Sequence, residues 1–333
     1  MTIKYLIVRF SSIGDIVLTT PAIRCLKEQV EGAEVHYLTK PQYAHMVENN
    51  PHVDKVHVLK SSFRETLKEL RAENFDYLID LHRNLRTNRI KRRLKVLDFS
   101  FNKLNREKWL MVNFKRNKLP DKHIVDRYME TLSVFDVRYD GKGLDYFIPV
   151  DSHVDIHTAL PESHRQGYLG FVIGGQHATK MLPAESIAEI CKRSELPVVL
   201  LGGPEDTDRA EKISKACPKA FNACGIFSLN QSASLVKQAR LIITHDTGLM
   251  HIAAAFHKPV LSVWGNTIPE FGMYPFEAGE NSQIFEVKDL KCRPCSKIGY
   301  NKCPKRHFDC MMKQNLTGIA ESAKRIFQQN RPT

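Results

Sequence analysis

Four short segments of this chain carry side chains able to do chemistry, and each directly follows an apolar run of strand length. The first is Ser11-Ser12-Ile13-Gly14-Asp15. A carboxylate at the carboxyl end of a buried strand can take a proton from a bound hydroxyl, as a general base does. It can equally cap the N-terminus of the helix that follows, where negative charge is favoured. The last is Thr244-His245-Asp246-Thr247-Gly248-Leu249-Met250-His251. A helix opening at Asp246 and Thr247 would present free backbone N–H groups to a phosphate. Gly248 would let a ligand approach closely. Thr247 and His251, four apart, would share a helix face. The bland alternative is an ordinary cap before a helix whose histidine packs on a sheet.

Between these lie two glycine turns. Gly174-Gly175-Gln176-His177-Ala178-Thr179-Lys180 offers a hydroxyl and an ammonium for a diphosphate, or simply a surface lysine. Gly202-Gly203-Pro204-Glu205-Asp206 offers carboxylates for ribose hydroxyls, or a helix cap by Asp206. Neither G-x-G-x-x-G nor the Walker pattern is present, so the common dinucleotide and nucleotide-triphosphate loops are excluded.

Two further features are chemical. Cys292, Cys295, Cys303 and Cys310 have the composition of a four-thiolate zinc site, but the second pair is spaced more widely than the usual two to four residues. Free thiols packed in a loop are the preferred reading, and no metal is assigned to the chemistry. Residues 82–123 hold 14 Lys/Arg against three acids, a balance of +11, so the rest of the chain carries 12 − 11 = +1. Such a stretch is either a solvated helix face or a surface for an anionic partner.

The elements that must position these groups follow from the apolar pattern. With 333 residues, 42% hydrophobic and 26% charged, the chain is an ordinary globular one of two-domain size. Its longest apolar stretches, such as 197–201, are far below the ~18 residues of a membrane span. The first apolar run is cut by Arg9, too early for a secretory signal, so the eight cysteines are expected in a reducing cytoplasm. Strand and helix patterns alternate, which predicts an α/β protein with parallel sheets. Strands are expected at 4–10, 34–39, 55–59 and 76–81, with helices from 15 to about 30, at 41–49, at 63–73 and around 124–135. A polar linker at 151–166 precedes a second series, with strands at 168–173, 198–201, 241–244 and 260–263. The domains are accordingly 1–160 and 167–314, with a closing helix in 315–333 expected to pack toward the first domain. Two consecutive Rossmann-like halves would bind ligands at the carboxyl ends of their strands.

The ordered set Arg9–Ala22, Asp80–Thr87, Ala178-Thr179-Lys180 with Pro183, Thr244–Ala255 and Trp264-Gly265-Asn266-Thr267 resembles glycosyltransferase family 9, the ADP-heptose:lipopolysaccharide heptosyltransferases. The resemblance implies a GT-B fold, two Rossmann-like domains facing each other across a cleft, with acceptor on the first and nucleotide-sugar donor on the second. It implies an inverting, metal-independent transfer in which Asp15 is the base. Thr179, Lys180, Asp246, Thr247, Gly248 and His251 become donor ligands, with Glu205 or Asp206 at the ribose. Ser12, Gly14, His82, Arg83 and Arg86 become acceptor ligands. The basic stretch then suits a phosphorylated, lipid-linked saccharide and a peripheral contact with the inner face of the cytoplasmic membrane, with no nucleic acid expected. The rival readings are a transferase or epimerase acting on another nucleotide sugar, and a non-catalytic nucleic-acid binder whose affinity would fall steeply with salt.

Overall fold

The computed structural model describes residues 2–330, which fall into two compact units divided at Lys103/Leu104, Asp121/Lys122 and Phe147/Ile148. In the first unit, β1 (Ile3–Val8) is followed by α1 (Ile13–Val17), α2 (Thr20–Gln29), β2 (Ala33–Thr39), a 3-10 turn (Pro41–Met46), β3 (Lys55–Val58), α3 (Phe63–Ala72), β4 (Tyr77–Asp80), α4 (Leu85–Leu94) and β5 (Leu97–Ser100). The five strands form one sheet in the order β3-β2-β1-β4-β5, every pair parallel. β1 sits at its centre. Tyr5, Leu6, Ile7 and Val8 are at most 1% exposed, as expected for a strand covered on both faces.

The chain then contributes α5 (Asn105–Phe114) to the second unit before returning to the first with α6 (Ile124–Met129) and a 3-10 turn to Phe135. Within the second unit, Lys115 Nζ at the end of α5 donates to Pro294 O (2.6 Å). The short α7 (Ile156–Ala159) follows, then β6 (Leu169–Val172), α8 (Ala184–Ser194), β7 (Val198–Leu201), α9 (Thr207–Ala216), β8 (Ala220–Asn222) and α10 (Leu229–Gln238). β9 (Leu241–His245), α11 (Gly248–Ala255), β10 (Val260–Trp264), β11 (Gln283–Glu286), α12 (Asp309–Met312) and α13 (Leu316–Gln329) complete it. The second sheet is also all parallel, in the order β11-β10-β9-β6-β7-β8. Both sheets therefore reverse strand order once, between β1 and β4 in the first and between β6 and β9 in the second.

Several local expectations are corrected. The helix expected from 15 to about 30 is two helices, because Pro21 has no N–H and its ring would crowd the carbonyl of Val17. The hydroxyls of Thr19 and Thr20 satisfy the carbonyls of Ile16 and Val17 at the break (2.6 and 2.7 Å). The edge strands β5, β8 and β11 escape the apolar pattern, being short and partly exposed. The division near Phe147 precedes the expected linker, and residues 104–121 belong with the second unit. Within the second unit the closing helix α13 packs on α8, with Ile319, Ala320, Ala323 and Ile326 in that unit's core.

In the first unit, Arg24 of α2 pins the segment before the division. It is 3% exposed, and its Nε and Nη2 donate to the two oxygens of Asp140 (2.8 and 2.9 Å). It also pairs with Asp145. The two acids respond differently. Hydrogen bonds from Arg24 push the Asp140 carboxyl down to about 2, whereas burial outweighs the same guanidinium at Asp145 and pushes that carboxyl up. The bidentate geometry makes Asp140 the stronger partner. Its contribution is present above the ordinary carboxylate range near ~4 and lost as pH falls through about 2. Arg24→Ala, which strands two partly buried carboxylates, is expected to cost about 3–5 kcal/mol in denaturant unfolding. Asp140→Asn should flatten the loss of stability between about pH 4 and pH 2.

Candidate active site

In the first unit, the segments leaving β1 and β4 lie side by side where strand order reverses, because Val8 pairs in register with Asp80. One buried guanidinium joins them. Arg9 is 7% exposed, and its Nη1 donates to Leu81 O (2.6 Å) and Tyr128 Oη (2.9 Å) while Nε donates to Ser11 O (2.8 Å). Its remaining arm, Nη2, meets Asp15 Oδ1 at 2.5 Å.

Asp15 is the third residue of α1, and both readings of it describe the same carboxylate. Oδ2 accepts from the Ser12 backbone N–H (3.1 Å) and hydroxyl (2.8 Å), which is capping chemistry. Oδ1 takes Arg9. The side chain keeps 19% of its surface exposed, and Oδ1, which takes Arg9 alone, retains a lone pair for a hydroxyl proton. Burial works to raise its pKa, but the Arg9 charge and the Ser12 hydrogen bonds outweigh it and hold the carboxyl below its usual range. The group is thus ionised at neutral pH, as a base must be.

The other first-unit candidates separate. Gly14 is buried inside α1 and Ser12 is exposed beside the carboxylate. The His82 ring packs on Phe10 (centroids 4.8 Å apart). Burial, reinforced by Arg9, pushes its imidazole down to about 3, so it is neutral. Arg83 turns partly inward, Nη1 donating to Phe101 O (2.9 Å). Arg86 is exposed on the first turn of α4. Asp80, not singled out as a site residue, organises this turn: it is fully buried, and Oδ1 accepts from the N–H groups of His82 (3.0 Å) and Arg83 (2.6 Å).

In the second unit, the turns after β6, β7 and β9 converge at that sheet's own reversal. Lys180 Nζ and Asp246 Oδ2 are 2.6 Å apart, and the Thr267 hydroxyl donates to the same oxygen (3.0 Å). Thr247 is the N-cap of α11, yet its side chain makes no cap bond; its hydroxyl lies 3.3 Å from that of Thr244. The first-turn N–H groups after Gly248 therefore face the site without a side-chain cap. A methyl group at Gly175 would come within 3.5 Å of Thr247 Cγ2, which places the β6 turn against this helix start. His251 is buried one turn further along α11.

Three donor candidates are resolved in role by geometry. Thr179 is 2% exposed and structural: its N–H and hydroxyl both donate to Tyr300 O (3.1 and 3.0 Å), and its Oγ1 accepts from Tyr300 N–H (2.8 Å). Asp206 is 6% exposed and its Oδ2 accepts from Gly203 N–H (3.0 Å), so it closes the Pro204–Asp206 3-10 turn; it stands at the N-cap position of α9 without a side-chain cap bond to that helix. Glu205 is exposed and makes no hydrogen bond among the described residues, which leaves it as the carboxylate able to meet a ligand. His245 was missed by sequence reasoning. It is fully buried, burial pushes it down to about 3, and its neutral Nε2 accepts from Leu182 N–H (3.0 Å), tying the Lys180 turn to β9.

The family model described as glycosyltransferase family 9 (heptosyltransferase) matches residues 63–304. The chain belongs to glycosyltransferase family 9. Within the family it is 26% identical over 323 residues to lipopolysaccharide heptosyltransferase 1 of Pseudomonas aeruginosa, covering 88% of this chain and 86% of that protein. Its fold is that of a glycosyl transferase family 9 protein from Veillonella parvula (TM-score 0.78, 21% identity, 98% and 97% of the two chains). It is also that of Escherichia coli ADP-heptose lps heptosyltransferase II (TM-score 0.75, 17% identity, 99% and 100%). The two parallel sheets are thus those of the GT-B heptosyltransferases, and the chain is a glycosyltransferase.

In this family 9 chain Cys292, Cys295, Cys303 and Cys310 line one small cavity with Asn266 and Phe308. Cys310 is buried, which pushes its thiol up to about 12, and Cys292 Sγ lies 3.8 Å from His307 Nε2. Among the described residues the set of metal-capable ligand atoms that gathers within 4.8 Å is formed elsewhere, by His36, His57 and Glu73.

The division of labour after β7 is testable by thermal melts. Asp206→Ala removes the acceptor of the Gly203 N–H and should cost about 1 kcal/mol. Glu205→Ala should stay within about 0.5 kcal/mol of the parent.

Proposed function

We propose that this enzyme moves heptose from ADP-heptose onto the inner core of a lipopolysaccharide acceptor, with Asp15 as base and the donor held by the second unit. The observation that carries the reading is that each sheet gathers its chemical groups where its own strand order reverses, the position at which such sheets bind ligands. Asp15 supplies the acceptor-side carboxylate. Lys180 and the open start of α11 supply positive charge for a departing diphosphate.

In this mechanism the acceptor hydroxyl attacks the anomeric carbon as the bond to the β-phosphate oxygen breaks. The hydroxyl proton passes to Asp15 and the electron pair leaves with ADP. One displacement inverts the anomeric centre. Arg9 keeps the base ionised and fixed, so the carboxylate does not reorganise before it accepts the proton. Charge developing on the leaving group is met by Lys180 and the α11 N–H groups, so the transfer needs no metal. Glu205 is the ribose contact in this reading. His82, neutral and packed on Phe10, shapes the acceptor side, and Arg86 offers a cation to an acceptor phosphate.

Asp15→Asn should retain ADP binding by calorimetry and lower kcat by about 10²–10⁴ in an ADP-release assay with a Kdo-lipid acceptor. Lys180→Ala should weaken ADP binding about tenfold or more. Turnover of a UDP-sugar alone, or an Asp15→Asn enzyme as fast as the parent, would overturn the assignment.

Peripheral membrane contact is part of the proposal. No helix among the described residues is long and apolar enough to cross a membrane. On α5, however, Trp109 and Phe114 are 55% and 57% exposed, with rings 5.2 Å apart, among Arg106, Lys108, Lys115 and Arg116. Aromatic groups framed by cations suit an anionic headgroup layer, where the rings bury and the charges pair with lipid. Trp109→Ala/Phe114→Ala should cut sedimentation with anionic vesicles several-fold and leave ADP binding unchanged.

A further inference from the structure

Away from the strand ends that hold the catalytic groups, two buried imidazoles face each other. His36 of β2 and His57 of β3 are each 1% exposed. They lie on neighbouring strands, with His36 opposite Lys55 and His57 opposite Leu38, and the ring of Phe75 stands edge-on to both.

The outer nitrogen of each ring points at a carboxylate: His36 Nε2 to Glu34 Oε1 (2.7 Å) and His57 Nδ1 to Glu69 Oε1 (3.0 Å). An ionised carboxylate only accepts, so both outer nitrogens carry hydrogen. A neutral imidazole has one N–H. With both rings neutral, the inner nitrogens, His36 Nδ1 and His57 Nε2, are both lone pairs, and they face each other at 3.0 Å. A third lone-pair donor joins them. The Glu73 carboxylate lies 3.9 Å from the first and 4.0 Å from the second. Three electron-pair donors converging in a buried space repel one another unless a cation sits among them.

We propose that His36 Nδ1, His57 Nε2 and Glu73 form a binding site for a divalent cation of the zinc class. Two nitrogens and a carboxylate are a ligand set that suits zinc. Zn–N and Zn–O bonds of ~2.0–2.1 Å at a tetrahedral angle set the ligand atoms roughly 3.3 Å apart; the nitrogens stand at 3.0 Å and the two Glu73 oxygens at 3.9 and 4.0 Å, so binding would spread the rings slightly and draw one Glu73 oxygen inward. Glu34 and Glu69 occupy the place of the outer carboxylates that orient metal-bound histidines and raise their basicity. The surrounding lysines do not disqualify the site. Lys55 and Lys4 lie 2.5 and 3.7 Å from Glu73, and Lys60 lies 2.7 Å from Glu69. Their side chains are 52%, 30% and 43% exposed, so water screens their charge while they hold the carboxylates in place. The cation would clamp β2, β3 and the end of α3 together and take no part in sugar transfer.

The test uses the full chain carrying Cys292→Ser and Cys295→Ser, which disrupts the competing thiol set, stripped with a chelator and titrated with Co²⁺ and then Zn²⁺. The expected result is one Co²⁺ per chain with visible bands of a nitrogen–oxygen site and no thiolate charge-transfer band, displaced by Zn²⁺. Glu73→Gln should weaken Zn²⁺ binding at least tenfold, Glu69→Gln less, and zinc should raise the melting temperature of the parent but not of His57→Gln. Melts of the metal-free variants separate loss of the site from loss of the fold. Failure of the folded parent to take up either metal, or equal affinity in Glu73→Gln, overturns the proposal and leaves a shared proton as the cation between the rings. Neither readout uses transferase activity, so the outcome is independent of the proposed function.

Discussion

The first unit depends on one buried cation. Arg9 reaches the ends of two central strands, a tyrosine of α6 and the carboxylate that opens α1, and every arm of its guanidinium is engaged. Burying such a charge is unfavourable on its own, and the Asp15 partner makes it tolerable. The same pairing gives Asp15 its orientation and its ionised state. Structural need and chemical suitability are therefore met by one contact, which is why capping and proton transfer are not competing descriptions of this residue.

The second unit solves a related problem with smaller groups. The turns that follow its central strands have little side-chain bulk, so their shape is set by hydrogen bonds to backbone. Asp206 fixes the turn after β7, His245 fixes the turn after β6, and Thr179 fastens that turn to Tyr300. Lys180 and Asp246 are left at the centre with their charges paired. An ammonium held by a neighbouring carboxylate is placed before any ligand arrives, which lowers the ordering cost of binding an anion.

Much of this was legible in the residues. The buried runs at 5–8 and 241–243 are continuous and apolar, so the central strands and the turns after them stand out. What stayed hidden has physical causes. The edge strands bury too little to show a pattern. The excursion of α5 into the second unit leaves no local mark, because none of its residues is buried. Glu205 and Asp206 are adjacent acids, and spacing alone cannot tell which one turns back on Gly203. His245 looked like part of a ligand motif, yet its neutral ring is fully buried and holds backbone. The convergence of His36, His57 and Glu73 needs a sheet register and a helix end that no linear spacing reveals.

Gly174 carries a consequence for how such a sequence can vary. A methyl group there would sit 2.1 Å from Asp206 Oδ2 and 3.3 Å from Gly202 Cα. The absence of a side chain at one position and the presence of a carboxylate at the other are thus a single choice made twice. Alanine at 174 and a shortened residue at 206 should show strong epistasis, with the first harmful alone and much less so once the second has vacated the space. Drift at 174 is then confined to paths on which 206 has already changed.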